Sequence, residues 1–167
     1  MTSCVENETK KELPFSASET AGQVVDAVLT MEKCPYEVCV NILLTDNERI
    51  REYNKEYRQI DKETDVLSFP NLAYKKAGDF SVAKETQAGC FDFDTGELIL
   101  GDIIISIDKI EEQAKAYGHG MLREFAFLVS HSMFHLCGYD HMTEEEAALM
   151  EQKQEEILQK LGITREG

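Results

Sequence analysis

The sequence contains no apolar run that approaches the length needed to span a membrane, and residues 1–12 carry no apolar signal core. These absences argue against a membrane partner and predict a cytoplasmic protein. At 167 residues with ordinary apolar content, the chain is expected to form a single domain over 1–167. Residues 1–15 and 163–167 are expected to be peripheral to it.

Cysteine pairs are also lacking. Five cysteines are scattered along the chain, and no two of them form a C-x2-C pair. An odd number of isolated cysteines indicates free thiols in a reducing compartment rather than a disulfide framework.

Basic residues are scarce, with 17 Lys and Arg against 32 Asp and Glu and a formal net charge of −15. No basic residue occurs between Thr86 and Asp108, and the last helix is rich in Glu, which we interpret as its solvated side. The basic residues between positions 49 and 62 are interleaved with acids. The sequence therefore excludes a broad basic face, and any contact with nucleic-acid phosphates must be local.

Helix signals recur along the chain. Side chains suited to cap a helix N-terminus stand before four segments, and Gly or a break follows each of several helices; the capping residues are Ser16 with Glu19, Asp46, Ser106, and Thr143 with Glu146. The first helix is predicted to run to about Lys33. The second is predicted to turn Ile50, Tyr53 and Tyr57 inward.

Strand signals fall between these helices. Residues 38–44 alternate as a β-strand does, residues 66–69 form a short strand stopped by Pro70, and residues 97–105 are the most β-branched run and the best central strand. Cys4 and Val5 suggest a brief first strand. Residues 71–95 show no period and are predicted to form an exposed loop or a partly ordered excursion. The order of these strands and helices along the chain predicts an α+β fold, with a small mixed sheet of about four strands packed with about five helices.

Three of the four histidines lie within the eleven residues H-S-M-F-H-L-C-G-Y-D-H. His131 and His135 are four apart on a predicted helix, so both imidazoles can face one ion. Gly138 permits the chain to reverse, and His141 follows at the open side of that ion. Three nitrogens with a water form an open, catalytic type of zinc shell. We interpret Cys137 as a small buried residue rather than a competing ligand.

The spacing also matches the metzincin peptidases, which carry a general-base Glu directly after the first histidine. Here that position is Ser132, which cannot take a proton from zinc-bound water near neutral pH. The peptidase hypothesis therefore requires a carboxylate from another segment.

The eleven residues resemble the signature of the YbeY family, bacterial endoribonucleases of ribosomal RNA maturation. They depart from it at Ser132 for Gly and Phe134 for Leu. The segment Y-R-Q-I-D-K-E-T-D-V-L-S-F-P, residues 57–70, resembles the second motif of the family, and L-G-D-I at 100–103 resembles a third. The resemblance covers roughly residues 36–162 and implies the same α+β fold with a central metal helix.

The resemblance implies a zinc-dependent, single-strand-specific endoribonuclease acting in 16S rRNA 3′-end maturation and ribosome quality control. It implies one zinc ion on His131, His135 and His141, with ribosomal RNA and the ribosome or a ribosomal protein as partners and no DNA. It also implies that Arg58 supplies positive charge to the phosphate during cleavage. The nucleophile stays open between a zinc-bound hydroxide and the 2′-hydroxyl of the RNA.

Three further side chains are candidates for the same cleft. Asp140 can either accept the ring N–H of a ligand histidine or cap the turn after Gly138. Asp65 and Ser68 are expected to line the cleft.

One alternative function is a ribosome-assembly factor with a structural metal, since acidic proteins often meet basic ribosomal proteins. The metallopeptidase is the other.

Overall fold

The structure, a computed structural model, describes residues 1–85 and 90–163. Its strands are β1 Thr2–Asn7, β2 Val38–Thr45, β3 Val66–Pro70 and β4 Leu98–Ser106, and its helices are α1 Ala17–Met31, α2 Asn47–Arg58, α3 Val82–Glu85, α4 Ile107–Tyr117, α5 Met121–Leu136 and α6 Glu144–Lys160. The predicted α+β fold is confirmed, with the four-residue α3 as a sixth helix. Within the described part of the chain, no helix is long and apolar enough to cross a bilayer.

The four strands form one mixed sheet in the order β1-β2-β4-β3. β1 and β4 both run parallel to β2, whereas β3 pairs antiparallel with β4. The β-branched strand is therefore an inner strand, as predicted. Gly101 lies in it at φ +153°, where an added Cβ would clash with the carbonyl oxygen of Phe69 and approach Leu136 to 2.8 Å. Glycine is thus required where β3, β4 and α5 meet most closely.

Helix α5 lies at the centre of the fold. It packs against α1, α4 and α6 and against strands β3 and β4. Phe125, Leu128, Val129 and Phe134 are at most 1% exposed, so the helix is held by the core on nearly all sides. A side chain on its remaining face therefore projects from a helix that packing holds rigidly, not from a loop.

All four predicted N-cap side chains accept a backbone N–H at the start of their helix. The end of α1 was predicted two residues too far, because Lys33 already has φ +53° and cannot continue a helix.

The prediction of an exposed loop over 71–95 needs correction at five positions of its described part. Five side chains of this segment are buried in the core: Leu72, Phe80, Val82, Ala83 and Cys90. The Gly78 N–H also donates to the carbonyl of Cys137 at 2.9 Å, just after α5. An irregular chain buries apolar residues at uneven intervals, which periodicity cannot reveal. Residues 86–89 lie outside the described residues.

Two smaller predictions also need correction. Tyr57 is 57% exposed, and Asn54 is buried on α2 in its place, donating from its amide to the carbonyl of Lys62 at 2.9 Å. The brief first strand suggested at Cys4 and Val5 is confirmed as β1, at the edge of the sheet. Ile163 is buried in the core, while 164–167 lie outside the described residues. Each depends on distant contacts that local sequence does not specify.

Candidate metal centre

Three histidine side chains converge at the C-terminal end of α5. His131 and His135 lie on the helix, and His141 lies in the segment that follows it. One nitrogen from each ring lies within 4.8 Å of the others, and the ring centroids are 4.6, 5.1 and 5.7 Å apart. The three histidines whose spacing in the sequence predicted a shared ion can therefore hold one metal ion.

The chain reverses at Gly138 to bring His141 back to the helix. Gly138 has φ +96°, and an added Cβ would lie 2.6 Å from the ring of Tyr74. The N–H groups of Gly138 and Tyr139 close the turn by donating to the carbonyls of His135 and Phe134. Glycine is required here for both conformation and space.

Cys137, beside this turn, is fully buried, and burial raises the pKa of its thiol. The interpretation of Cys137 as a buried residue is confirmed. A neutral thiol enclosed by the core is not a ligand in this arrangement.

The ring of His135 is fixed by the backbone of the turn. Its Nδ1 lies 2.9 Å from the carbonyl oxygen of Tyr139. Because a carbonyl only accepts hydrogen bonds, Nδ1 carries the proton and donates. The Nε2 lone pair is therefore directed to the cluster, in the tautomer that a metal ligand needs.

His131 is held between two partners. Its Nε2 lies 3.1 Å from Nε2 of His135, and its Nδ1 lies 2.6 Å from the side-chain amide of Gln154 on α6. The ring also stacks on Phe127, with 6.3 Å between centroids. Contacts with His135, Gln154 and Phe127 thus fix the plane of the ring. The ring nitrogen that faces the cluster therefore has little freedom to move.

Burial favours the neutral imidazole at His131 and His135. Burial, together with the neighbouring charges of His135 and His141, lowers the pKa of His131 to about 4. Burial also lowers the pKa of His135, opposed by its hydrogen bond to Tyr139 and reinforced by the charges of His141 and Arg58. Neutral imidazole is the form that ligates a metal, so these residues fit a metal site.

The cluster opens into a cleft of about 660 Å³ between the end of α5, strand β3 and the segment after α5. The predicted candidates Arg58, Asp65, Ser68 and Asp140 all line it. Arg58 is the last residue of α2 and is exposed. Its charge is close enough to His135 to affect that residue's pKa. The cleft therefore combines metal-ligating nitrogens with a guanidinium.

The two carboxylates of the cleft are used locally. Asp140 accepts the backbone N–H of His141 at 2.8 Å, and Asp65 accepts that of Val66 at 2.8 Å. Asp140 thus bonds to the backbone of the segment after α5, and the ring Nδ1 atoms of His131 and His135 have other partners. Asp65 also lines a smaller cavity beside His131 and His141.

Ser132, at the position of the peptidase base, is fully buried. Its hydroxyl lies 2.9 Å from that of Ser68 on β3. This contact joins the metal helix to the strand that lines the cleft. It also shows that the hydroxyl at this position is engaged within the fold.

Sequence reasoning missed two groups that fix the ligand rings. The carbonyl of Tyr139 has no signal in a sequence, since every residue has one. Gln154 is 23 positions from His131, and only its burial at 1% exposure marks it as special. The sequence offered one signal for Gln154. It is a polar residue on the apolar face of α6 that Met150, Ile157 and Leu158 form.

A family model described as Endoribonuclease YbeY matches residues 4–162. The chain belongs to the YbeY family. An Endoribonuclease YbeY from Agathobacter rectalis is 56% identical over 161 residues, which cover 96% of this chain and 98% of that protein. Another from Lachnoclostridium phytofermentans is 50% identical over 165 residues, covering 99% of this chain and all of its relative.

A Thermotoga maritima protein with a structure solved in solution has a similar fold. Its TM-score to this chain is 0.57 at 22% sequence identity, and the match covers 96% of this chain and 91% of that one. At this sequence identity, the similarity shows the fold alone. The sequence resemblance to the YbeY family is confirmed by the family model and the two relatives.

Proposed function

We propose that this protein is a zinc-dependent, single-strand-specific endoribonuclease that acts in 16S rRNA 3′-end maturation and ribosome quality control. Membership of the Endoribonuclease YbeY family supports RNA as the substrate class. The single observation that carries the proposal is the convergence of His131, His135 and His141 in a cleft that also holds Arg58. The five free cysteines agree with a reducing compartment such as the cytoplasm.

Each part of the cleft has a task in phosphodiester cleavage. His131, His135 and His141 would hold the ion, which when bound polarises a phosphoryl oxygen and lowers the pKa of a water. The hydrogen bond from His135 to Tyr139 and the packing of α5 fix the ligand nitrogens before the substrate arrives. Such preorganisation avoids a reorganisation cost during the reaction.

Arg58 supplies charge to the phosphate. The transition state of cleavage is a crowded anionic phosphorus, and a planar guanidinium can donate to two of its oxygens at once. Among the described residues Arg58 forms no ion pair, whereas Arg49, Arg51 and Arg123 each pair with a carboxylate. The guanidinium is therefore available to a phosphate in the cleft.

The charge of the chain favours a short single-stranded substrate. With a net charge of −15, the surface cannot attract a long duplex backbone. A few exposed nucleotides need only local contacts, which the cleft provides through Arg58 and the metal. Single-stranded specificity is consistent with this restriction.

Substitution of His135 by Ala tests the proposal. Zinc content and cleavage of a single-stranded RNA should be lost together, because the variant removes one of three ligands. His119→Gln is the matched control, since His119 lies outside the cluster and bonds to Glu124 at 2.7 Å, a contact that Gln can retain. Cleavage by chelator-treated protein at the normal rate would overturn the proposal.

A second function, a ribosome-assembly factor whose metal is structural, is favoured by the acidic net charge. It requires that Arg58→Glu still capture a ribosomal protein and that rRNA processing be unaffected. Loss of processing with retained capture favours the nuclease.

Casein cleavage that a chelator blocks would instead support a metallopeptidase, for which Ser132 is a poor base.

A further inference from the structure

One buried polar side chain beside the metal cluster has no direct part in the proposed RNA cleavage. Gln154 lies on the inner face of α6, where its neighbours Met150, Ile157 and Leu158 belong to the core. It is 1% exposed, and its amide lies 2.6 Å from Nδ1 of His131. Burial of an amide is unfavourable unless its hydrogen bonds are made. The contact to His131 is therefore what allows a Gln at this position.

The tautomer of His131 decides what this amide must do. His131 faces His135 through Nε2, so Nε2 is the atom that a metal ion would bind. A neutral imidazole that ligates through Nε2 carries its proton on Nδ1. This proton needs an acceptor, and the Gln154 amide is the group at hydrogen-bond distance from Nδ1.

The amide can meet this need by rotation about its last bond. The amide atom that lies nearest to Nδ1 is the nitrogen. Half a turn exchanges nitrogen and oxygen with almost no change in shape, and it presents Oε1 at the same place. The neighbouring ligand follows the same pattern, since the carbonyl of Tyr139 accepts the Nδ1 proton of His135.

We propose that Gln154 is a positioning residue for the metal centre, whose side-chain oxygen accepts the Nδ1 proton of His131 and so directs Nε2 to the ion. This inference rests on the proposed metal-dependent function. It assigns to α6 a part in the site that α5 and the following turn otherwise form alone. Loss of such a partner typically weakens metal binding by about 10- to 100-fold.

The test is the zinc dissociation constant, measured by competition with a chelator. Gln154→Leu and Gln154→Met lack a strong acceptor and should weaken zinc binding about 10- to 100-fold. Gln154→Glu keeps the acceptor and should bind zinc within about threefold of wild type or more tightly. Rescue by Glu separates an acceptor from a residue that only fills space, because all three side chains have similar volume.

Gln159→Leu and Gln159→Glu are the matched controls, since Gln159 is an exposed residue of the same helix. They introduce the same changes in charge and polarity and should leave zinc affinity unchanged. Urea unfolding in the presence of chelator separates affinity from fold stability. Normal zinc affinity in Gln154→Leu, or equal weakening in Gln154→Glu and Gln154→Leu, would overturn the inference while the proposed function stands. Failure of the wild type to bind zinc would overturn both.

Discussion

Acidification should destabilise the protein through His131 when zinc is removed by a chelator. Burial, with the charges of His135 and His141, lowers the pKa of His131 from an ordinary value of 6.5 to about 4 in the folded chain. The unfolded chain takes up a proton near pH 6.5, whereas the folded chain does so only near pH 4. Stability is therefore complete above pH 6.5 and is lost as the pH falls between these two values.

The magnitude follows from the difference between the two pKa values. Each pKa unit corresponds to about 1.4 kcal/mol, so lowering the pH from 7 to 5 should reduce the free energy of unfolding by about 2 kcal/mol through this group. The full loss, near pH 4, is on the order of 3 kcal/mol. The chain should then unfold in noticeably less urea at pH 5 than at pH 7.

Urea unfolding of wild type and His131→Leu, both with chelator, measures this contribution. Carboxylates also titrate on the way to pH 4, but they are common to both proteins. The difference in slope of stability against pH between the two therefore reports His131. Identical pH dependence in both proteins would refute the reasoning, since it would mean that His131 is not held neutral by its surroundings.

Three further changes probe the cleft and its support. Arg58→Lys should lower the rate of RNA cleavage by about 100-fold, with zinc affinity unchanged, because an ammonium cannot hold two phosphate oxygens; an unaltered rate would remove Arg58 from the mechanism. Gly138→Ala should lower the free energy of unfolding by at least about 1–3 kcal/mol and weaken zinc binding, because its φ is +96° and Tyr74 lies in the way. Lys153→Met should lower the free energy of unfolding in urea by about 3 kcal/mol, because it leaves Glu32, whose side chain is only 5% exposed, without its partner at 2.9 Å. If the double variant with Glu32→Gln lost as much stability as Lys153→Met alone, this reason would be contradicted.

Local chemistry explains which features of the fold could be read from the sequence. Capping by Ser16, Asp46, Ser106 and Thr143 was predictable because each side chain bonds to an N–H three residues away. The histidine cluster was predictable for the same reason, since a helical turn and a glycine-permitted reversal act over about ten residues.

Features that depend on distant contacts were not predictable. The order β1-β2-β4-β3 depends on which strands meet, and the burial of Phe80 depends on an irregular path. Gln154 reaches His131 from another helix, and Ser68 reaches Ser132 from a strand 64 residues earlier. Neither pair has a local signature, so the partners that orient the site required the fold itself.

The most direct test of the central claim is a zinc titration of chelator-treated wild type, with cleavage of a single-stranded RNA as the readout. If one ion on His131, His135 and His141 is required, activity should be absent at the start, rise in proportion to added zinc and level off at one zinc per chain. Cleavage before any zinc is added, or no cleavage once one zinc per chain is bound, would contradict it.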